Sequence, residues 1–332
     1  MHIIQSRRSF LAGLSAVGAA GLFKVQPSVA AGEPPPETTT IRLAMPTAAC
    51  LAPLAIAERF LHEEGFTDVR YVPAPMVAGA MLTDGVVDFD MHSWSDYLPL
   101  VDAGKPLTVL AGVHVGCMEL RANDSIRGVA DLRGKRVGVS AIGATDHMLV
   151  SVMAAYVGLK PVSDINWVLN LTASQAELFT AGEVDAFIGF PPEPGKPCPR
   201  DVGHVVVNIA NDRPWSNYFC CMAVANADFM RGNPVATKRA LRAILKATDI
   251  CHQQPERAAQ WMADIGFSRE CAMMTMKDTR YGLWREYDPE DTVRFFALRL
   301  NELGMIKKTP NEVISGFTDW RFLAELRREL KS

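Results

Sequence analysis

Gly143-Ala144-Thr145-Asp146 stands just before a run of helical periodicity. Backbone amides and the positive end of a helix dipole can receive a ligand oxygen there, and Gly143 allows close approach. The same residues also suit a plain helix start, with Thr145 or Asp146 as cap and His147 either on the ligand side or on the helix surface. His92, Trp94, Phe190 and Trp215 are rings near the ends of strand-like runs, where they offer a planar ligand a stacking surface at little entropic cost. Trp215 follows Asp212-Arg213-Pro214 in a loop and can equally plug the edge of a core.

These residue types point to binding rather than to catalysis. Gly138-Val139-Ser140-Ala141-Ile142-Gly143 is one residue too long for a nucleophile elbow, and the sequence has neither a P-loop nor a His-Glu-x-x-His helix. The histidines, at positions 2, 62, 92, 114, 147, 204 and 252, lack metal-ligand spacing, although His92 and His147 can meet in space. Seven cysteines, at 50, 117, 198, 220, 221, 251 and 271, form no Cys-x-x-Cys pair and read as small, mostly reduced core residues. The expectation is therefore no catalytic residue, no cofactor and no metal.

Short apolar runs alternating with helical patterns must position these groups. Strands are expected at 41–45, 69–72, 136–140, 165–169, 184–189, 204–209 and 218–225, and helices at 53–64 and 148–157. Ser174-Gln175-Ala176-Glu177 is a capping box, and Gly182 ends the helix it opens. Asn233-Pro234, Pro255 and Asp288-Pro289 each open a helix in a mainly helical last third. Strands alternating with helices define an α/β class with parallel strands, in two sheets and without a glycine-serine linker.

The first thirty residues read differently. Ser6-Arg7-Arg8-Ser9-Phe10-Leu11 precedes a short apolar run and a small-residue cleavage site at Ala30 or Ala31, the pattern of a twin-arginine export signal. Residues 31–40, with Pro34-Pro35-Pro36, are expected to form an exposed leader. Over 332 residues the charge is −3, with 34 basic and 37 acidic groups and no basic stripe. That balance leaves no footprint for nucleic acid.

Three segments in this order carry a resemblance. They are Asn123-Asp124-Ser125-Ile126-Arg127-Gly128-Val129-Ala130-Asp131-Leu132-Arg133-Gly134-Lys135-Arg136-Val137-Gly138-Val139, Leu178-Phe179-Thr180-Ala181-Gly182-Glu183-Val184-Asp185-Ala186-Phe187 and Gly304-Met305-Ile306-Lys307. Over 41–326 the chain resembles the periplasmic solute-binding proteins of ABC importers, in the nitrate, alkanesulfonate, taurine and thiamine-pyrimidine-precursor group.

The resemblance implies a two-lobed periplasmic-binding-protein type II fold, with lobe one at 41–120 plus 219–332 and lobe two at 121–218, closing on a ligand. It implies a monomer that delivers cargo to a permease and an ATPase and meets the membrane only through them. The family's cleft maps to residues 46–51, 88–94, 143–147 and 190–193, all at carboxyl ends of expected strands. Thr47 and Ser93 are expected to give hydrogen bonds, Cys50 and His92 contacts, Trp94, Phe190 and Trp215 surface, and Gly143, Ala144, Thr145 and Asp146 the amide corner, with Glu193 beside them. These loops hold no Lys or Arg but lie among Asp90, Asp96, Asp146 and Glu193, which favours a neutral heterocyclic or aromatic cargo over sulfonate or nitrate. The alternatives are a pyrimidine-precursor synthase of the same fold group and a ligand-presenting sensor subunit. Against the synthase, Cys220-Cys221 falls in an expected crossing strand, away from residues 187–193.

Overall fold

A computed structural model describes residues 32–73, 79–170, 173–191 and 202–331. The export signal and Glu193 lie outside them. Ten strands build two five-stranded sheets. The first sheet has the order β2-β1-β3-β10-β4, from β1 (Thr40–Ala44), β2 (Asp68–Val72), β3 (Phe89–Ser93), β4 (Leu107–His114) and β10 (Cys221–Asn226). The second has the order β7-β6-β8-β5-β9, from β5 (Glu119–Ala122), β6 (Arg136–Val139), β7 (Asn166–Leu169), β8 (Ala186–Gly189) and β9 (His204–Asn208).

Both sheets follow one plan: a parallel trio, then a strand that runs against it, then an edge strand antiparallel to that one. The reversed strand is in each case the one entered after the chain has crossed between the sheets, β5 in the second and β10 in the first. Residues 115–118 and 209–220 make the two crossings.

Helices cover the sheets. They are α1 (Ala52–Glu63), α2 (Ala80–Thr83), α3 (Trp94–Asp102), α4 (Thr145–Tyr156), α5 (Pro161–Asp164), α6 (Gln175–Thr180), α7 (Ala227–Gly232), α8 (Pro234–Gln253), α9 (Pro255–Asp264), α10 (Arg269–Asp278), α11 (Pro289–Glu302), α12 (Pro310–Phe317) and α13 (Arg321–Glu329). The local signals act as read: Ser174 and Glu177 cap α6 reciprocally, and proline stands in the first turn of α8, α9 and α11. Helix α4 begins at Thr145, three residues earlier than its apolar periodicity suggests. Every residue of β4 and β10 is buried, which places the densest core of the first sheet along these two strands.

The segment expected as an exposed leader is docked instead. The Glu37 carboxylate accepts the amides of Val235 and Ala236 at 3.0 and 2.9 Å, replacing the side-chain cap that Asn233 does not provide. Glu33 pairs with Arg242 at 2.9 Å, and the Pro34 carbonyl accepts from Arg239 at 2.8 Å. Arg239 and Arg242 are buried along α8, and acidic and carbonyl groups on this segment satisfy them. Among the described residues, no helix is long and apolar enough to cross a membrane.

Candidate functional site

The carboxyl ends of β1, β3, β6 and β8 lead into the four expected cleft segments. At two of them the sheets meet through side chains. The β3 strand runs directly into α3, which sets His92, Ser93, Ser95 and Asp96 around one turn. From the other sheet, the first residue of α4 brings Thr145 against that turn.

Asp96 receives the Thr145 hydroxyl on one carboxylate oxygen and the His92 Nδ1 on the other. The Ser95 hydroxyl bonds Thr145 Oγ1 at 3.2 Å and Ser93 Oγ at 2.9 Å. The result is one polar network shared by the two sheets. Burial works against a charged His92, but the hydrogen bond and charge of Asp96, with Asp90 nearby, push its pKa up to about 9. Burial pushes the Asp90 carboxyl above its ordinary range.

The amide corner is occupied from within. The Gly143 amide donates to His147 Nδ1 at 3.1 Å, and that of Ala144 to the Ala141 carbonyl at 3.2 Å. Asp146 turns back to accept the Ser140 amide and hydroxyl at 2.6 and 3.0 Å, so it fastens the loop ahead of α4. Burial raises its pKa against those hydrogen bonds. His147 packs edge-on to Trp167 with centroids 4.6 Å apart, and burial lowers its pKa. Gly143 itself has a φ of +85° and open space where a Cβ would stand, so a ligand can approach its backbone face.

The aromatic residues separate sharply. Phe190, just past β8, is 39% exposed and offers a ring face. Trp94 is 1% exposed and packs near Tyr97, with its indole N–H buried and unpartnered. The first turn of α3 carries this ring inward, so Trp94 is a core residue in this arrangement rather than an open stacking face. Trp215 is buried edge-on between Tyr156 of α4 and Phe295 of α11, the core-edge role of its two readings. Thr47 is half-buried on the first loop.

Sequence reasoning missed what lies beside the cleft at the hinge. Cys50, in the turn Ala49–Leu51, meets His114 at the end of β4, Cys117 in the first crossing and Cys221 at the start of β10. One ligand atom from each lies within 4.8 Å of the others, and Cys220 Sγ is 3.2 Å from Cys117 Sγ. The spacing His114-Val115-Gly116-Cys117 is the only local signal of this cluster, since Cys50 and Cys221 come from distant segments. Cys271, on α10, is disulfide-bonded, while Cys50, Cys117, Cys220, Cys221 and Cys251 are free, in line with a mostly reduced set.

The two α/β sheets with crossing strands define the two-lobed fold of periplasmic binding proteins. The NMT1/THI5-like family model matches residues 54–258, and the chain belongs to that family. The periplasmic nitrate-binding protein of Synechocystis PCC 6803 superposes with a TM-score of 0.72 at 18% identity, over 89% of this chain and 90% of that one. The periplasmic aliphatic sulphonate-binding protein of Escherichia coli gives 0.64 at 18% identity, over 82% and 90%. The 4-amino-5-hydroxymethyl-2-methylpyrimidine phosphate synthase THI5 of Saccharomyces cerevisiae is 23% identical over 235 residues, 64% of this chain and 66% of the enzyme. The match thus spans just under two thirds of the length of that relative.

Proposed function

We propose that the protein is the extracytoplasmic ligand-capture component of an ABC importer, holding one small organic solute between its lobes without chemistry of its own. The observation that carries this reading is the Asp96–Thr145 contact. A polar network at the carboxyl ends of two sheets, shared between lobes, is what a hinge-closing trap presents to cargo. The fold it shares with nitrate- and sulphonate-binding proteins supports the same reading. Ser93, Ser95, Thr145 and Asp96 supply hydrogen bonds, Phe190 a ring face and Gly143 an open backbone.

Asp96 offsets the charge of His92 and the cleft segments hold no Lys or Arg, so the site favours a neutral heterocycle over an anion. The twin-arginine pattern of residues 6–11 supports export in a folded state. A second reading, a pyrimidine-phosphate synthase, has the distant yeast match in its favour.

Thermal unfolding against nitrate, sulfonates, aromatic acids, pyrimidines and other heterocycles tests the proposal. Binding to the native state raises the midpoint, by about 2.7 kcal/mol of stabilisation at a hundred times Kd. A shift confined to one class, with the compound recovered unchanged, is expected. Conversion of the compound on the protein favours the synthase, and absence of any shift contradicts capture of these classes.

A further inference from the structure

We propose that Cys50, His114, Cys117 and Cys221 form a zinc site that clasps the hinge. The inference does not depend on the identity of the cargo. The four residues come from the loop after β1, the end of β4, the first crossing and the first residue of β10, so one ion would tie the first loop to the first crossing and to the strand that the second crossing enters.

Three observations carry it. First, three thiols and one imidazole with ligand atoms within 4.8 Å of one another make the Cys3His donor set that zinc takes in tetrahedral structural sites, where thiolate bonds are about 2.3 Å. The ligand atoms must draw in by roughly an ångström to reach such bonds. Second, His114 is fully buried, and neither ring nitrogen has a hydrogen-bond partner. A buried imidazole without a partner is costly, and a metal takes one of the two nitrogens. Third, Cys117 has a φ of +85°, the only positive value at a non-glycine position among the described residues, and it follows Gly116 at +94°. A backbone held in this region marks a constrained place in the chain.

The surroundings are built to hold the cluster. The Tyr281 hydroxyl donates to the Cys50 carbonyl at 3.0 Å, the Cys220 amide to the His114 carbonyl at 2.9 Å and the Trp94 amide to the Cys220 carbonyl at 3.0 Å. Tyr281 packs edge-on to His114 with centroids 5.2 Å apart. On binding, the thiols of Cys50, Cys117 and Cys221 each release a proton to solvent as their sulfur bonds the ion, and neutral His114 contributes a lone pair.

The test uses the full chain, reduced and freed of metal, titrated with Co²⁺ and then Zn²⁺. One Co²⁺ per chain is expected, with the near-ultraviolet thiolate charge-transfer bands and the strong visible bands of a tetrahedral site, bleached by one equivalent of Zn²⁺. The thermal midpoint should rise with zinc. Cys50→Ser combined with His114→Ala should abolish the spectrum, whereas Cys251→Ser, at a buried cysteine outside the cluster, should keep it. Because the double variant can lose its fold, thiol reactivity of the native wild-type chain supplies an independent readout, with three thiols becoming protected on adding zinc. No cobalt spectrum, uptake of cuprous ion but not zinc, or a Cys117–Cys220 disulfide that forms in place of metal binding would each overturn the proposal.

Discussion

Two polar clusters lie close together in this molecule and differ in how their groups are satisfied. At the cleft, His92, Asp96, Ser95 and Thr145 complete one another's hydrogen bonds from two sheets, partly within reach of solvent. At the hinge, Cys50, His114 and Cys221 are buried and Cys117 is half-buried, and the imidazole has no partner. Hydrogen bonds of the first kind can be exchanged for bonds to water or cargo at small net cost. The buried imidazole of the second cluster cannot turn to water, so its position depends on what the cluster holds. The proposed capture function needs exchangeable contacts at the mouth of the cleft and a defined pivot behind them.

The largest expected effect separates core from cleft. Trp94→Ala should destabilise the fold by about 3–5 kcal/mol, as truncation of a fully buried indole does, and denaturant unfolding measures it. A stability change below ~1 kcal/mol with loss of cargo binding would return Trp94 to the ligand surface. Next comes the pivot. A Cβ at Gly116 would stand 2.4 Å from Ala210 Cβ, where the two crossings touch, and φ there is positive. Gly116→Ala is therefore expected to cost about 1–3 kcal/mol.

The pH dependence of the cleft cluster is smaller. His92 has a folded pKa raised to about 9 above an ordinary value of 6.5. Its contribution is thus fully present below about pH 6.5 and is lost as pH rises through about 9. Since His92 and Asp96 are partly exposed, screening limits the contribution to roughly 1 kcal/mol. Asp96→Asn should flatten stability across this window, as followed by thermal unfolding at a series of pH values. The smallest effect on stability is expected at Phe190, where Ala should change unfolding by less than ~0.5 kcal/mol.

How far the sequence was legible follows from the range of the interactions. The capping box at Ser174 and Glu177 and the prolines that open α8, α9 and α11 are local devices, and each acts where the sequence puts it. The alternation of strands and helices, with the segments around 123–139 and 178–187, sufficed for the α/β two-lobed class. The docking of Glu33 and Glu37 was hidden because Arg242 and the start of α8 lie some 200 residues away in the chain. Trp94 sits one residue past a strand end in the sequence, yet the immediate start of α3 rotates it into the core. The hinge cluster escaped notice for a similar reason. Only His114 and Cys117 are neighbours in sequence, and three segments must meet before their chemistry is visible.

The central claim is that cargo is held between the lobes, in contact with both. Calorimetric titration of the chain with the compound class that raises its thermal midpoint tests this most directly, in the wild type, in Ser93→Ala at the end of β3 in the first sheet and in Phe190→Ala just past β8 in the second. One site per chain is expected, with affinity lowered about tenfold or more in both variants, on the scale of a buried contact, and their unliganded midpoints nearly unchanged. Wild-type affinity in both variants would contradict the account and place the cargo elsewhere on the molecule.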